Sequence, residues 1–159
     1  MAGDDFGVAV HGGAEGGDPD VFHDVFGHVP ILTDPTFADD MQAYGRGGAR
    51  AAGLGQLHSL ARLYWYTVEF GLMAAPEGPR IHGAGIVSSR AETLWSLEDP
   101  RPRRVPFELE LVMRTAYRID DLQPLYLVIQ SLQTLLDVTQ QDFAPVYARL
   151  KGQQDLALN

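Results

Sequence analysis

The 159-residue chain contains no cysteine, which removes disulfide scaffolds, zinc ribbons, iron–sulfur clusters and thiol nucleophiles together. Any metal it holds must be bound by histidine and carboxylate. Basic residues are also scarce: 12 Lys and Arg stand against 21 Asp and Glu, for a formal net charge of −9. Clustered cations grip phosphate backbones, and the densest group here is only Arg101, Arg103 and Arg104, so no nucleic-acid partner is expected. No apolar run approaches the roughly 18 residues that cross a bilayer, and the acidic start at Asp4 and Asp5 lacks the plan of a secretion signal. The expectation is a cytoplasmic protein with no membrane partner.

What remains is ordinary in bulk, with 45% hydrophobic and 21% charged residues, enough for one globular core. It is unevenly distributed. Residues 1–18 hold six glycines and no apolar period, which predicts a disordered Gly-rich tail. At Pro19 the texture changes to regularly spaced aromatics and aliphatics, so the domain is placed at 19–150, with a C-terminal tail at 151–159.

Within that domain a short helical turn is predicted over 21–26, stopped by Gly27 and Pro30. Asp34 as N-cap and Pro35 at the first helical position open a second helix, ended by Gly45, Gly47 and Gly48. The strongest helix spans about 54–72, where Leu57, Leu60, Ala61, Tyr64, Trp65 and Val68 form one apolar stripe. Extended pieces are expected at 80–82 and 85–87, and helices at 91–97, 107–114 and 131–138, with Asp142 capping another. Residues 116–119 and 125–129, separated by Asp120 and Asp121, read as a hairpin. The fold class is therefore mostly α with a small β-hairpin.

The chemistry concentrates in the segment from Phe22 to His28, with two imidazoles five positions apart. On a regular helix that offset is about 140° around the axis, too far for both rings to face one ion. A helix that stops at Phe26 and turns at Gly27 would swing His28 back toward His23. Glu69 supplies a third donor, because a carboxylate between Val68 and Phe70 on an apolar helix needs a partner. Two imidazoles and one carboxylate match the facial set that leaves iron(II) positions open, and the same donors can hold zinc. No H-E-x-x-H pattern places a general base beside either histidine, which weighs against a zinc hydrolase.

The ordered segments PDVFHDVFGHVPIL, PTFADDMQAYGRGG, LARLYWYTVEFGL and RIHGAGIVSS closely resemble the consecutive signatures of the pterin-dependent aromatic amino acid hydroxylases, with weaker continuations in YRID and DFAPVY. The resemblance covers about residues 18–150. It implies part of that family's catalytic fold, with iron(II) held by His23, His28 and Glu69. It further implies a tetrahydropterin bordered by Asp24, Ala61 and Tyr64, and an aromatic amino acid substrate near Pro19, Trp65, Gly85 and Ser88. For Tyr64 and Trp65 a place in the plain apolar core is the competing reading. The implied activity is a monooxygenase that uses dioxygen to hydroxylate phenylalanine to tyrosine.

Two departures accompany the likeness. The stretch that precedes PDVFHD in the family, with its pterin loop and an arginine for the substrate carboxylate, has no counterpart, and no arginine precedes Arg46. Apolar surface left bare by that difference would favour self-association, and a catalytically silent iron-binding module is the alternative function. His82, where relatives usually carry tyrosine, offers a further imidazole near the site.

Overall fold

A computed structural model describes residues 21–158, so the tail expected at 1–18 and the substrate position expected at Pro19 lie outside the described residues. In chain order the elements are α1 (Val21–His23), a wide π turn π1 (Asp24–His28), α2 (Val29–Ile31), α3 (Pro35–Gly53), α4 (Leu57–Tyr64), a second wide turn π2 (Trp65–Glu69), β1 (Gly71–Met73), β2 (Arg80–Ile81), α5 (Ala84–Val87), α6 (Arg90–Leu97), β3 (Arg103–Pro106), α7 (Leu109–Arg114), β4 (Leu125–Ile129), α8 (Leu132–Thr139) and α9 (Ala144–Leu150). The helix starts are chemically defined. Asp34 Oδ1 accepts from the amides of Thr36 at 2.8 Å and Phe37 at 3.2 Å, with Pro35 at the first helical position. Ser89, Glu108 and Ser131 cap α6, α7 and α8 in the same way.

The mostly helical expectation holds, but the hairpin does not form. β4 lies inside a four-stranded sheet of order β2-β1-β4-β3, parallel to β1 on one side and to β3 on the other. Residues 116–119 form no strand. Instead Ala116 N–H bonds Leu156 O at 2.9 Å, and Tyr117 stacks on Trp65. A strand buried between parallel neighbours reads as a continuous apolar run, as Leu125–Ile129 does, and nothing local reveals those partners. The predicted extended piece at 85–87 is likewise helical, as α5.

α3 runs straight through Gly45, Gly47 and Gly48 to Gly53. Each interior glycine costs about 1 kcal/mol of helix propensity, less than is returned by burying Phe37, Ala43, Tyr44 and Ala51 along its inner face. The main core gathers Phe37, Tyr44, Leu60, Leu63, Tyr66, Val68, Met113, Leu127, Ile129 and Leu135 between α3, α4, α7, α8 and the sheet. A smaller cluster, Leu72, Ile86 and Tyr126, lies apart from it, under α5. After α9 the chain folds back, with Leu156 bridged to Thr115 and Asp155 forked on Arg62 at 2.7 and 2.5 Å.

Candidate metal centre

The two histidines reach one another without the predicted helix break. Residues 24–28 stay helical but close an i→i+5 turn, in which the amide of Val29 bonds Asp24 O. Such a turn brings residues five apart onto one face, which a regular helix does not, and single turns of this kind are concentrated at functional sites. Gly27 has a different part from the one expected. A Cβ there would sit 2.9 Å from Ala84 O and 3.1 Å from Ala84 Cβ, so its bare Cα lets α5 press directly against π1.

Glu69 is delivered by the second turn of the same type. π2 ends the α4 helix, and the amide of Phe70 bonds Trp65 O at 2.8 Å, again five residues apart. On the far side of Glu69 stands Gly83, where a Cβ would lie 2.4 Å from Glu69 O. α5 is thus wedged between the turn that carries the histidines and the turn that carries the carboxylate.

The donors converge. His23 Nε2 lies 3.4 Å from Glu69 Oε2, His28 Nε2 lies 3.2 Å from Glu69 Oε1, and the two imidazole Nε2 atoms are 3.0 Å apart with the rings nearly perpendicular at 89°. Three donors each about 2.1 Å from one ion are about 3.0 Å apart at right angles and about 3.4 Å apart in a tetrahedron. The spacing therefore suits a shared ion without choosing its identity. Among the described residues this trio is the one group of three metal-binding side chains that converges.

The electrostatics suit a cation as well. Glu69 is 2% exposed, with its two oxygens 3.4 and 3.2 Å from the imidazole Nε2 atoms, and a buried carboxylate needs such partners or a cation. Burial alone would raise its pKa, but hydrogen bonding to and charge on His23 and His28 hold it down to about 2, so the carboxylate is ionised at neutral pH. His23 Nδ1 lies 2.8 Å from Ser88 Oγ, which itself donates to Ala84 O at 2.9 Å. With that hydroxyl proton committed, Nδ1 is the donor toward Ser88, which leaves Nε2 to face Glu69 and His28.

The other expected site residues fall into two groups. Asp24 is exposed, Ala61 and Tyr64 are half-buried on α4, and the Tyr64 phenol is pushed far above its ordinary pKa by burial, then by Glu69 and Asp24. Asp24, Tyr64 and Glu69 therefore share one neighbourhood. Gly85 packs on Phe70 and Glu69 O, and Ser88 on His23. Trp65 is different. It is buried, stacked at 4.4 Å on Tyr117 and 4.6 Å from Phe70, with its indole N–H bonded to Gln123 Oε1 at 3.0 Å.

His82 is not a fourth donor to the trio. Its buried ring packs against Gly71, and burial lowers its pKa to about 4, so it is neutral. Sequence reasoning missed Gln123, a loop glutamine that resembles any solvated polar residue yet is 1% exposed.

The chain matches the family model described as biopterin-dependent aromatic amino acid hydroxylase over residues 13–150. It is 64% identical over 141 residues to a phenylalanine-4-hydroxylase of Caulobacter vibrioides, covering 89% of this chain and 48% of that protein. Its identity to the Ralstonia nicotianae phenylalanine-4-hydroxylase is 57% over 133 residues, covering 84% and 42%. The fold matches an iron- and phenylalanine-bound crystal structure of the Chromobacterium violaceum phenylalanine hydroxylase with a TM-score of 0.85 at 54% identity, over 88% of this chain and 52% of that one. The same enzyme bound to cobalt matches equally, at TM-score 0.85 and 54% identity over 88% and 50%. The chain spans about half the length of the curated relatives it matches.

Proposed function

Because the chain belongs to the biopterin-dependent aromatic amino acid hydroxylase family, we propose that it serves an iron(II)- and tetrahydropterin-dependent monooxygenase that hydroxylates phenylalanine to tyrosine. The observation that carries the reading is the convergence of His23, His28 and the buried Glu69 carboxylate. His23, His28 and Glu69 would hold the iron. When bound, the iron and pterin together supply the activation of dioxygen.

The chain's own residues do the rest. Ser88 fixes the His23 tautomer so that Nε2 faces the metal, and Glu69 offsets the ion's charge from inside a dry wall. Asp24, Ala61 and Tyr64 border the pterin, while Pro19, Trp65, Gly85 and Ser88 border the substrate. Trp65, with its N–H already bonded and Tyr117 stacked on it, acts as a fixed wall of the aromatic pocket. Exclusion of water by that wall and by α5 strengthens each interaction inside it.

The alternative is a catalytically silent iron-binding module, which the same three donors would equally supply. Tyrosine formation from phenylalanine, with iron(II), tetrahydropterin and air, separates the two. Turnover eliminates the silent module, and iron(II) binding without turnover supports it. We also propose self-association, supported by the apolar row Val21, Phe22, Val25, Phe26, Val29 and Leu32, each at least 45% exposed.

A further inference from the structure

Gln123 uses every polar group it has. Its side-chain Oε1 accepts from Trp65 Nε1 at 3.0 Å, and its Nε2 donates to Arg118 O at 2.7 Å and Asp121 O at 3.3 Å. Its backbone N–H bonds Glu92 Oε1 at 3.1 Å, and its carbonyl accepts from Trp95 Nε1 at 2.7 Å. The amide orientation is not in doubt chemically, because two carbonyls demand N–H donors and an indole demands an acceptor.

What makes this more than a satisfied buried side chain is the place of Trp65. Trp65 is the first residue of π2, and Glu69 is the last. The carbonyl of Trp65 takes the Phe70 amide at 2.8 Å, and the Trp65 and Phe70 rings pack 4.6 Å apart. Glu69 is therefore clamped between two residues that hold each other through both backbone and rings. The orientation of the indole plane is fixed by two contacts, the hydrogen bond to Gln123 and the Tyr117 stack at 18°. Gln123 makes the first of these directly, and its Nε2 separately ties down the 118–121 segment.

We propose that Gln123 is a positioning residue for the metal centre: through the indole of Trp65 it sets the pitch of the π2 turn and so the aim of the Glu69 carboxylate. The inference rests on the metal-site reading above. Removing the acceptor leaves a buried indole N–H unpaired, a cost relieved by turning the ring. Turning the ring shifts the Trp65–Phe70 clamp and moves Glu69 away from the histidines.

The test uses cobalt(II) alone as the probe, since its visible d–d bands report ligand number and angle, with affinity from titration. Gln123→Met is expected to weaken cobalt(II) binding by about tenfold, the range seen when outer partners of metal ligands are lost, and to alter the bands. Trp65→Phe combined with Gln123→Met removes the unpaired N–H, and is expected to restore affinity to within about twofold of the parent with its spectrum. A purely structural role would not be rescued in this way, because the 118–121 tether stays cut.

Unaltered binding and bands in Gln123→Met, or an unrescued double variant, would each overturn the proposal. If the parent and all variants leave cobalt(II) unbound, it is the metal-site reading that has failed, and the positioning role falls with it.

Discussion

Replacing Asp40 by asparagine should stabilise the protein at pH 8 and change it little at pH 4. Asp40 has no exposed surface, lies on α3 against α8, and accepts a hydrogen bond from Thr139 Oγ1 at Oδ1, while its Oδ2 has no partner. Burial, opposed only in part by Thr139, raises its pKa from 3.8 to about 6. A carboxyl raised on folding is held in its neutral form by the native state. Its contribution is therefore fully present below the unfolded pKa and is lost as pH rises through the folded one. Between 3.8 and about 6 the loss accumulates to no more than about 3 kcal/mol, at about 1.4 kcal/mol per pH unit. Above that range it is constant.

Asparagine keeps the Oδ1 acceptor for Thr139 and carries no charge at any pH, so it recovers about 1–3 kcal/mol at pH 8 and less than about 1 kcal/mol near pH 4. For a chain of this size each kcal/mol moves Tm by about 2–4 °C. Thermal unfolding followed by circular dichroism, parent and variant side by side at both pH values, measures the difference. A stabilisation equal at the two pH values, or none at pH 8, would refute the assignment of Asp40 as a buried carboxyl strained by ionisation.

Three further outcomes are expected. Ser88→Ala removes the partner of His23 Nδ1 and should weaken iron(II) affinity by about 10–100-fold, with less than about 1 kcal/mol lost in metal-free stability; calorimetric titration beside thermal melts separates the two effects. Gly27→Ala places a Cβ 2.9 Å from the Ala84 carbonyl and should cost about 1–3 kcal/mol by forcing α5 off π1, measured by urea unfolding. Phe22→Ser together with Phe26→Ser breaks a stacked pair at 4.7 Å on the exposed apolar row and should shift any oligomer toward monomer in light scattering coupled to gel filtration.

The elements that were legible in sequence are those whose causes are local. The Asp34–Pro35 start of α3 and the apolar stripe of α4 are set by capping and by 3.6-residue periodicity, both of which act within a few residues. His23, His28 and Glu69 were singled out by the two imidazoles and the carboxylate on an apolar helix together with the family resemblance, and the structure brings their donor atoms together. How the histidines meet was not legible. Regular helix geometry argues for a break at Gly27, whereas the chain widens into an i→i+5 turn, a choice made by α5, more than fifty residues away in sequence. The strand at 125–129 was legible but its pairing was not, since its parallel partners β1 and β3 lie beyond any local window. α3 passed its glycines because burial against α8 outweighs propensity. Gln123 left no trace, as a single loop glutamine carries no period and no motif.

The central claim is that His23, His28 and Glu69 bind one metal ion together. Anaerobic titration of iron(II) into the purified chain tests it most directly: one equivalent should bind, and binding should vanish in both His23→Ala and Glu69→Ala while their circular dichroism stays native. Full binding retained in either variant, or none in the parent, would contradict the account.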